Sequence, residues 1–243
     1  LQINQGLTTL QIAVLSTDEL AALSTLQIQG LTTEHIVALS TEQVSALSTA
    51  GVNAMTTAQV AALETTDLAA LQPSQMAAFS TTQIAQGLTT TQLRSLTTTQ
   101  AIGLSTTQWG ALTTSQIAAL NPHLIPYLLP AQIESGFTST QIAVLTTAEI
   151  ASLTTDQIAQ GLTTSQVAAL TTSQFAALTT AQVASLTTGQ VAPLTTDQVA
   201  SLQTADVAVL RTNQIAALST TQVAQGLTTA QVVALTTNQV AQG

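Results

Sequence analysis

Few residues of this chain could take part in acid–base catalysis or bind a metal ion. His35 and His123 lie far apart in the sequence, there is no cysteine, and neither histidine has a nearby carboxylate partner in a metal-ligand pattern. Glu64 and Asp67 are three residues apart, but their positions in the repeat described below favour a variant helix cap over an acid–base pair. The sequence therefore predicts no enzyme, no cofactor, no metal site and no small-molecule substrate.

The elements that carry these residues are copies of an eight-residue unit, seen clearly as LTTSQVAA at Leu162–Ala169. From Leu7 to Gly243 the chain holds 29 copies, each opening with Leu except at Met55, Phe79 and Phe137. We predict one continuous array over residues 1–243 with an irregular patch at 120–136. Because LQINQG at the start resembles the tail of a repeat, we expect the array to be a segment of a longer repeat protein.

Each unit, numbered 1 to 8 from its leading Leu, contains the signature of a helix start. Position 2 is Ser or Thr in 23 of the 29 copies and position 5 is Gln or Glu in 24, which is the spacing of a capping box. Nine of the eleven acidic residues lie at position 4 or 5, in the first helical turn, where the helix dipole favours negative charge. The pattern predicts a new helix in nearly every copy.

The apolar residues at positions 1 and 6 decide how these helices are arranged. Eight residues of continuous helix turn through about 800°, so the apolar stripe of one long helix would drift by about 80° per unit. The chain must therefore change direction once per unit. We predict an all-α solenoid of very short, about six-residue, capped helices, one per eight-residue repeat. A β-solenoid is the alternative, because Thr, Val and Ile favour strands.

Five copies carry a ninth residue, and it is always glycine: Gly87, Gly136, Gly161, Gly226 and Gly243. Glycine at a helix C-terminus commonly adopts the left-handed conformation that stops the helix. We therefore predict left-handed helix stops and wider turns at these five glycines.

The irregular patch departs from the repeat through its prolines and aromatic residues. It reads LNPHLIPYLLPAQIESG from Leu120 to Gly136, and the only tryptophan, Trp109, lies one copy upstream. The simpler interpretation is a divergent pair of repeats that packs in register, with Trp109 at a core position. The functional alternative is a bend or a lateral contact between molecules, with candidate residues Trp109, Pro122, Pro126, Tyr127 and Pro130.

Composition limits the partners of the chain. There is no lysine, Arg94 and Arg211 are the only strong bases, and the net charge is −9. Binding to nucleic acid or to an anionic membrane surface requires clustered Lys and Arg, so neither partner is expected. The Thr and Ser pairs interrupt every apolar run long before the about 20 residues of a membrane span. The two arginines are interpreted as single solvated charges.

The repeated string resembles the LTTxQ[IV]xAL octad tracts of very large secreted or surface proteins of Gram-negative bacteria, often described as adhesins. This resemblance covers the whole chain and implies an extracellular structural or adhesive role. We predict a rod or self-assembling fibre or sheath, with the protein itself as its partner. Two alternatives stay open, an adhesin stalk that presents a separate binding domain and an ice-binding array of threonines.

Overall fold

The computed structural model describes residues 6–242, and the predicted helical solenoid is confirmed over this range. Each of the 29 copies contains one helix, and residues 6–242 include no strand. The chain divides after Tyr127 into two compact units, and the division falls inside the irregular patch. None of the described helices is long and apolar enough to span a membrane.

Most helices contain four to seven residues and are of the α type. The first unit contains Thr9–Ala13, Thr17–Ala21, Thr25–Gln29, Thr33–Val37, Thr41–Ser45, Thr49–Ala54, Thr57–Ala62, Thr65–Ala70, Pro73–Ala77, the π-helix Gln83–Gly87, Thr90–Arg94, Thr98–Gly103, Thr106–Ala111, Thr114–Ile117 and the 3-10 helix Pro122–Tyr127. The second contains Pro130–Gly136, Ser139–Ala143, Thr147–Ser152, the π-helix Gln157–Gly161, Thr164–Ala169, Thr172–Ala176, Thr180–Ser185, Thr188–Val191, Thr196–Ser201, Thr204–Val209, Thr212–Ala216, the π-helix Gln222–Gly226, Thr229–Ala234 and Thr237–Gln242.

The capping box begins these helices as the sequence predicts. At helix Thr57–Ala62, the backbone N–H of Gln59 donates to the Thr56 hydroxyl at 3.2 Å, and the backbone N–H of Thr56 donates to Gln59 Oε1 at 2.7 Å. The same reciprocal pair recurs in most copies, for example Thr163 with Gln166 in the second unit. Each pair satisfies two backbone donors that a helix start otherwise leaves without partners.

The chain changes direction in extended backbone at positions 1 and 2. Leu63, after helix Thr57–Ala62, has φ −59° and ψ 133°, and Glu64, before the next helix, has φ −68° and ψ 154°. The last helical bond is the one from the Leu63 N–H to the Val60 carbonyl, at 3.2 Å. Two extended residues are therefore enough to separate successive helices.

The predicted left-handed stops at Gly87, Gly136, Gly161 and Gly226 are wrong, because no described residue has positive φ. Gly243 lies outside the described residues. In three of the nine-residue copies the extra residue instead widens the last turn into a π-helix. There the N–H of Leu88 reaches the Gln83 carbonyl, five residues earlier, at 3.0 Å.

Close packing explains why the ninth residue is glycine. A Cβ on Gly87 would lie 3.0 Å from Val60 Cβ and 3.3 Å from the Thr57 carbonyl oxygen. Gly226 lies in the same way against Val199, where an added Cβ would be 3.1 Å from Val199 Cβ. The widened turn pushes the backbone against an earlier helix, so there is no space for a side chain.

The solenoid core consists of positions 1 and 6, as predicted. From Ile12 to Val207 every position-6 residue is 2% exposed or less, including Trp109 and Phe175. Within each unit, helices pack on the helix three copies earlier, as Thr57–Ala62 does on Thr33–Val37 in the first unit and Thr196–Ser201 does on Thr172–Ala176 in the second. Burial of one such Val or Leu side chain contributes about 1.5–3 kcal/mol, which a single short helix could not supply alone.

Candidate functional site

Position 5 is buried as well, and its glutamine bonds at both ends of the side chain. The amide oxygen of Gln59 caps its own helix, while its Nε2 donates to the carbonyl oxygens of Leu31 at 2.6 Å and Ile28 at 2.7 Å. Leu31 lies in the turn before the helix three copies earlier, Thr33–Val37, and Ile28 lies in the helix before that turn, Thr25–Gln29. The Gln59 side chain therefore caps its own helix and also hydrogen-bonds that helix to the preceding coil.

We call this repeated pairing the glutamine ladder. In each case Nε2 of a position-5 glutamine donates to the carbonyl oxygen of a position-1 residue. The pairs in the first unit are Gln43–Leu15, Gln59–Leu31, Gln75–Leu47, Gln83–Met55, Gln92–Leu63, Gln100–Leu71, Gln108–Phe79 and Gln116–Leu88. Those in the second are Gln157–Leu128, Gln166–Phe137, Gln174–Leu145, Gln182–Leu153, Gln190–Leu162, Gln198–Leu170, Gln214–Leu186, Gln222–Leu194, Gln231–Leu202 and Gln239–Leu210.

The ladder keeps its register across the nine-residue copies. Gln59 and Leu31 are 28 residues apart, whereas Gln92 and Leu63, which have Gly87 between them, are 29 residues apart. Position 5 still pairs with position 1 because the π-helix absorbs the additional residue before the next copy begins. Since positions 1 and 5 are four residues apart within a copy, both separations correspond to three copies per coil, a number that the irregular spacing of the glycines does not reveal.

The glutamine ladder affects stability strongly because its glutamine side chains are almost fully buried. Gln59 is 2% exposed and Gln100 is 1% exposed. A satisfied hydrogen bond contributes about 0.5–1.5 kcal/mol net, whereas a buried carbonyl left without a donor costs about 1–3 kcal/mol. The ladder therefore selects one stacking register among those that apolar contacts alone would allow.

His35 shows which features of glutamine are required at position 5. Its Nδ1 accepts from the Thr32 N–H at 3.2 Å, and its Nε2 lies 3.1 Å from the Leu7 carbonyl oxygen. An imidazole with its proton on Nε2 thus reproduces both glutamine bonds. His35 is a ladder residue, and its ring nitrogens are occupied by backbone groups.

Acidic residues at position 5 supply the cap acceptor but no amide donor. Asp206, 2% exposed, accepts from the Gln203 N–H at 3.0 Å, and Glu149, 1% exposed, accepts from the Thr146 N–H at 2.7 Å. Asp67 instead accepts from the Thr41 hydroxyl at 2.7 Å. Glu64, the other carboxylate that could have formed an acid–base pair with Asp67, is the exposed N-cap residue of helix Thr65–Ala70.

Gly51 offers a direct test of the ladder, because it is the one position-5 residue without a side chain. Replacing Gly51 by glutamine is expected to raise the free energy of unfolding by about 1–2 kcal/mol, from lower backbone entropy loss and from new bonds. The register that joins Gln59 to Leu31 and Ile28 places the new amide at the carbonyls of Leu23 and Leu20. The added Cβ would lie 3.2 Å from Ser48 Oγ, a terminal atom that can shift.

Gly51→Ala is the matched control for that variant, since it gains the helix preference without the amide. Urea unfolding of both variants, followed by circular dichroism, separates the two contributions. Equal stability of the alanine and glutamine variants would contradict a stabilising role of the amide donor.

Two exposed glutamates in the first copies make stability depend on pH. Hydrogen bonds from the Ser16 backbone and hydroxyl lower the pKa of Glu19, and bonds from its own backbone N–H and the Thr32 hydroxyl lower the pKa of Glu34. Their stabilising contribution is therefore complete above the ordinary value of 4.5 and is lost as pH falls through the lower folded-state pKa.

We expect the melting temperature to fall below about pH 4.5, and to fall less in a Glu19→Gln, Glu34→Gln double variant. Thermal melts across that pH range measure the difference. A double variant with the same acid sensitivity as the parent chain would show that other groups are responsible.

The candidate lateral-contact or bend residues differ in their exposure. Trp109 is fully buried at position 6, as its core interpretation predicts, whereas Tyr127 is 58% exposed. Pro122 and Pro130 begin helices, where a missing N–H costs nothing, and Pro126 lies inside the 3-10 helix Pro122–Tyr127. Tyr127 and the partly or fully exposed prolines are therefore the members of this set that another molecule could contact.

Both arginines contact backbone carbonyls besides solvent. Arg94 Nε donates to the Ala119 carbonyl at 3.4 Å, beside a cleft of about 350 Å³ that Asn121 and Pro122 also line. Arg211 Nη2 donates to the Ala184 carbonyl at 2.6 Å, beside a cleft of about 340 Å³. Neither cleft has a His, Asp or Glu in its lining, and residues 6–242 contain no group of three or more such side chains that could hold a metal ion.

The sequence interpretation missed the donor function of position 5, although a signal was present. A cap requires only an acceptor oxygen, which Glu and Gln supply equally well. Position 5 nevertheless holds Gln in 22 copies and Glu in two. This preference for the amide indicates that the –NH₂ group has a partner of its own.

Comparison with known proteins identifies the repeat. Five segments match the family model of the ALTTAQ repeat: residues 33–65, 60–98, 131–172, 173–204 and 199–237. They cover most of the chain and occur in both units. The unmatched stretch between the second and third segments, 99–130, holds the five candidate contact residues. Among curated proteins, none matches the chain.

Proposed function

Because the chain belongs to the ALTTAQ repeat family, we propose that it is a structural repeat protein that forms an elongated rod or a self-assembling extracellular fibre or sheath on the bacterial surface. The observation that carries this proposal is the glutamine ladder. Within each unit, most copies are joined to the copy three earlier by the same donor, the same acceptor and the same apolar positions. An array built in this way can be lengthened by adding copies, without any new contact.

The lack of site chemistry supports a non-catalytic role. The clefts beside Arg94 and Arg211 have no acid, base or nucleophile assembled around a substrate-sized space, apart from Ser and Thr hydroxyls near Arg211. Three titratable side chains at position 5 that could have acted in acid–base catalysis instead contact backbone or hydroxyl groups: His35, Asp67 and Asp206. We propose that the chain is not an enzyme and that no cofactor is involved.

The extracellular location is supported by composition. Only 5% of the residues are charged, cysteine and lysine are absent, and Thr, Ser, Gln and Ala replace them, which is the composition of the octad tracts that the chain resembles. A low content of ionic groups makes the coil contacts insensitive to salt, because apolar contacts and neutral hydrogen bonds are not screened. This suits a structure exposed to a variable medium.

Electron microscopy of the purified chain tests the proposal. We expect elongated particles that associate into longer assemblies as the concentration rises. Compact particles that stay separate at every concentration would contradict a fibre. An adhesin stalk, the alternative, predicts elongated particles without self-association.

Ice binding is the weaker alternative. The position-2 hydroxyls that would form half of a threonine grid already accept the N-terminal N–H of their own helices, as Thr163 does from Gln166. Thermal hysteresis of the purified chain is the measurement that separates this role, and a fibre or stalk predicts none.

A further inference from the structure

Two position-5 residues lack the amide donor of the glutamine ladder, although they are buried as deeply as the glutamines. Asp67 and Asp206 are each 2% exposed. The Asp67 carboxylate accepts from the Thr41 hydroxyl at 2.7 Å, and the Asp206 carboxylate accepts from the Gln203 N–H at 3.0 Å. Buried charges in proteins are normally paired with an opposite charge or bound to a metal ion. Each carboxylate therefore requires a counter-charge.

Within residues 6–242, no strong base supplies that counter-charge. The chain has no lysine, and Arg94 and Arg211 are its only arginines. Arg94 donates to the Ala119 carbonyl and Arg211 to the Ala184 carbonyl, and neither forms an ion pair with either carboxylate in this part of the chain. The counter-charge must therefore come from outside the protein.

The carbonyls that a ladder glutamine would bind at these two places also lack a donor. Ladder pairs with no ninth residue between them are 28 residues apart. The same separation leads from Asp67 to Leu39 and from Asp206 to Leu178. Neither of these leucine carbonyls accepts a hydrogen bond from any group in residues 6–242. Each place therefore has an unpaired acceptor in addition to a buried carboxylate.

The coils are in contact at both places, so the ladder register continues through them. In the first unit helix Thr65–Ala70 packs on Thr41–Ser45, and in the second Thr204–Val209 packs on Thr180–Ser185. The hydroxyl bond to Asp67 described above joins the first two helices directly. Carboxylate and carbonyl oxygens therefore converge where the –NH₂ group of glutamine lies in other copies.

We propose that each of these two places binds a monovalent metal cation, Na⁺ or K⁺. The cation takes the position of the missing amide, between the carboxylate and the position-1 and position-6 carbonyls of the earlier coil. The ligands are Asp67 with the carbonyls of Leu39 and Ile36 in the first unit, and Asp206 with the carbonyls of Leu178 and Phe175 in the second.

The charge and the ligand types favour an alkali-metal ion over other occupants. Backbone carbonyls coordinate Na⁺ and K⁺ in many proteins, and one such ion neutralises one carboxylate. Ca²⁺ takes about six to eight oxygen ligands, often from several carboxylates, and neither place offers such a set. A water molecule could bridge the same oxygens, but it would leave the carboxylate charge uncompensated.

The effect of the bound cations is structural, because each one joins two coils where the ladder lacks a donor. This effect differs from ionic screening, since it depends on which cation is present and not on ionic strength. Patterns of side-chain ligands do not reveal such a site, because most of its ligands are backbone carbonyls.

Thermal melts and hydrogen exchange of the full chain test the proposal. The chain is compared in NaCl, KCl, CaCl₂ and choline chloride at equal ionic strength, with choline as the reference because it is too large for the space of one –NH₂ group. NaCl or KCl should raise the melting temperature by about 2–4 °C relative to choline chloride. The same salt should increase amide protection in helices Thr65–Ala70 and Thr204–Val209.

The Asp67→Gln, Asp206→Gln double variant is the matched test of the two sites. Glutamine is the common residue at position 5 and restores the amide donor, so the variant should fold like the parent by circular dichroism. Its melting temperature should be the same in NaCl, KCl and choline chloride. Asp197→Asn is the control, because it removes an exposed carboxylate at position 4, and it should respond to the salts like the parent.

Three results would overturn the proposal. Equal stability of the parent chain in NaCl, KCl and choline chloride would show that no alkali-metal ion is bound. A response to CaCl₂ alone would show that the ion is divalent. A difference between NaCl or KCl and choline chloride that persists in the double glutamine variant would place the responsible site elsewhere.

Discussion

Gln100→Glu is expected to cost about 3–5 kcal/mol of folding free energy, although it changes one group of similar size. Nε2 of Gln100 donates to the Leu68 carbonyl at 2.7 Å and to the Leu71 carbonyl at 2.8 Å, and the side chain is 1% exposed. Glutamate keeps the cap to Thr97 but places a carboxylate oxygen against these two carbonyl oxygens. Electrostatic repulsion between these oxygens then replaces two hydrogen bonds, and solvent does not screen it because the site is buried.

Hydrogen exchange measured by mass spectrometry locates this effect. Amides in helices Thr65–Ala70 and Thr98–Gly103 should lose protection in the Gln100→Glu variant, since the ladder joins these two coils. Gln11→Glu is the matched control, because Gln11 is exposed, has the same cap and donates to no other coil within residues 6–242. If both variants lose the same stability, position 5 contributes only as a cap and the ladder is not stabilising.

Gly87→Ala is expected to destabilise the first unit by about 1–3 kcal/mol, through overpacking. The new Cβ would lie 3.0 Å from Val60 Cβ and 3.3 Å from a backbone oxygen, neither of which can move without displacing helix Thr57–Ala62. The usual gain from Gly to Ala in a helix, about 0.5–1 kcal/mol, is too small to compensate.

Gly189→Ala is the matched control for this overpacking. Gly189 is also helical, but the nearest atoms to an added Cβ are 3.9 Å away. This variant should be slightly more stable than the parent chain in the same urea unfolding experiment. A Gly87→Ala variant that is as stable as Gly189→Ala would show that the π-helix is free to move away from Val60.

Local rules were sufficient to predict the helix starts and the core. The bonds between Thr56 and Gln59 span three residues, so the residue types at positions 2 and 5 determine them without knowledge of the fold. The drift of the apolar stripe likewise follows from helix geometry alone, and it required a change of direction in every copy. Position 6 could therefore be assigned to the interior before its neighbours were known.

The glycine prediction failed because its physical cause is not local. A left-handed stop is a property of the residue and its own backbone, and Gly87 does not adopt one. Its partner is Val60, which lies three copies earlier, and a pattern confined to a single copy cannot reveal that contact. The same holds for the irregular patch: the pattern placed Trp109 in the core, whereas exposure of Tyr127 depends on what surrounds it.

By itself the sequence determined where each helix begins and which two positions face inward, because these depend on residue type and short spacing. Only the tertiary structure decided how many copies make a coil, which carbonyl each glutamine reaches and how a ninth residue fits. These depend on contacts between helices three copies apart, where the stacking of whole coils selects the register.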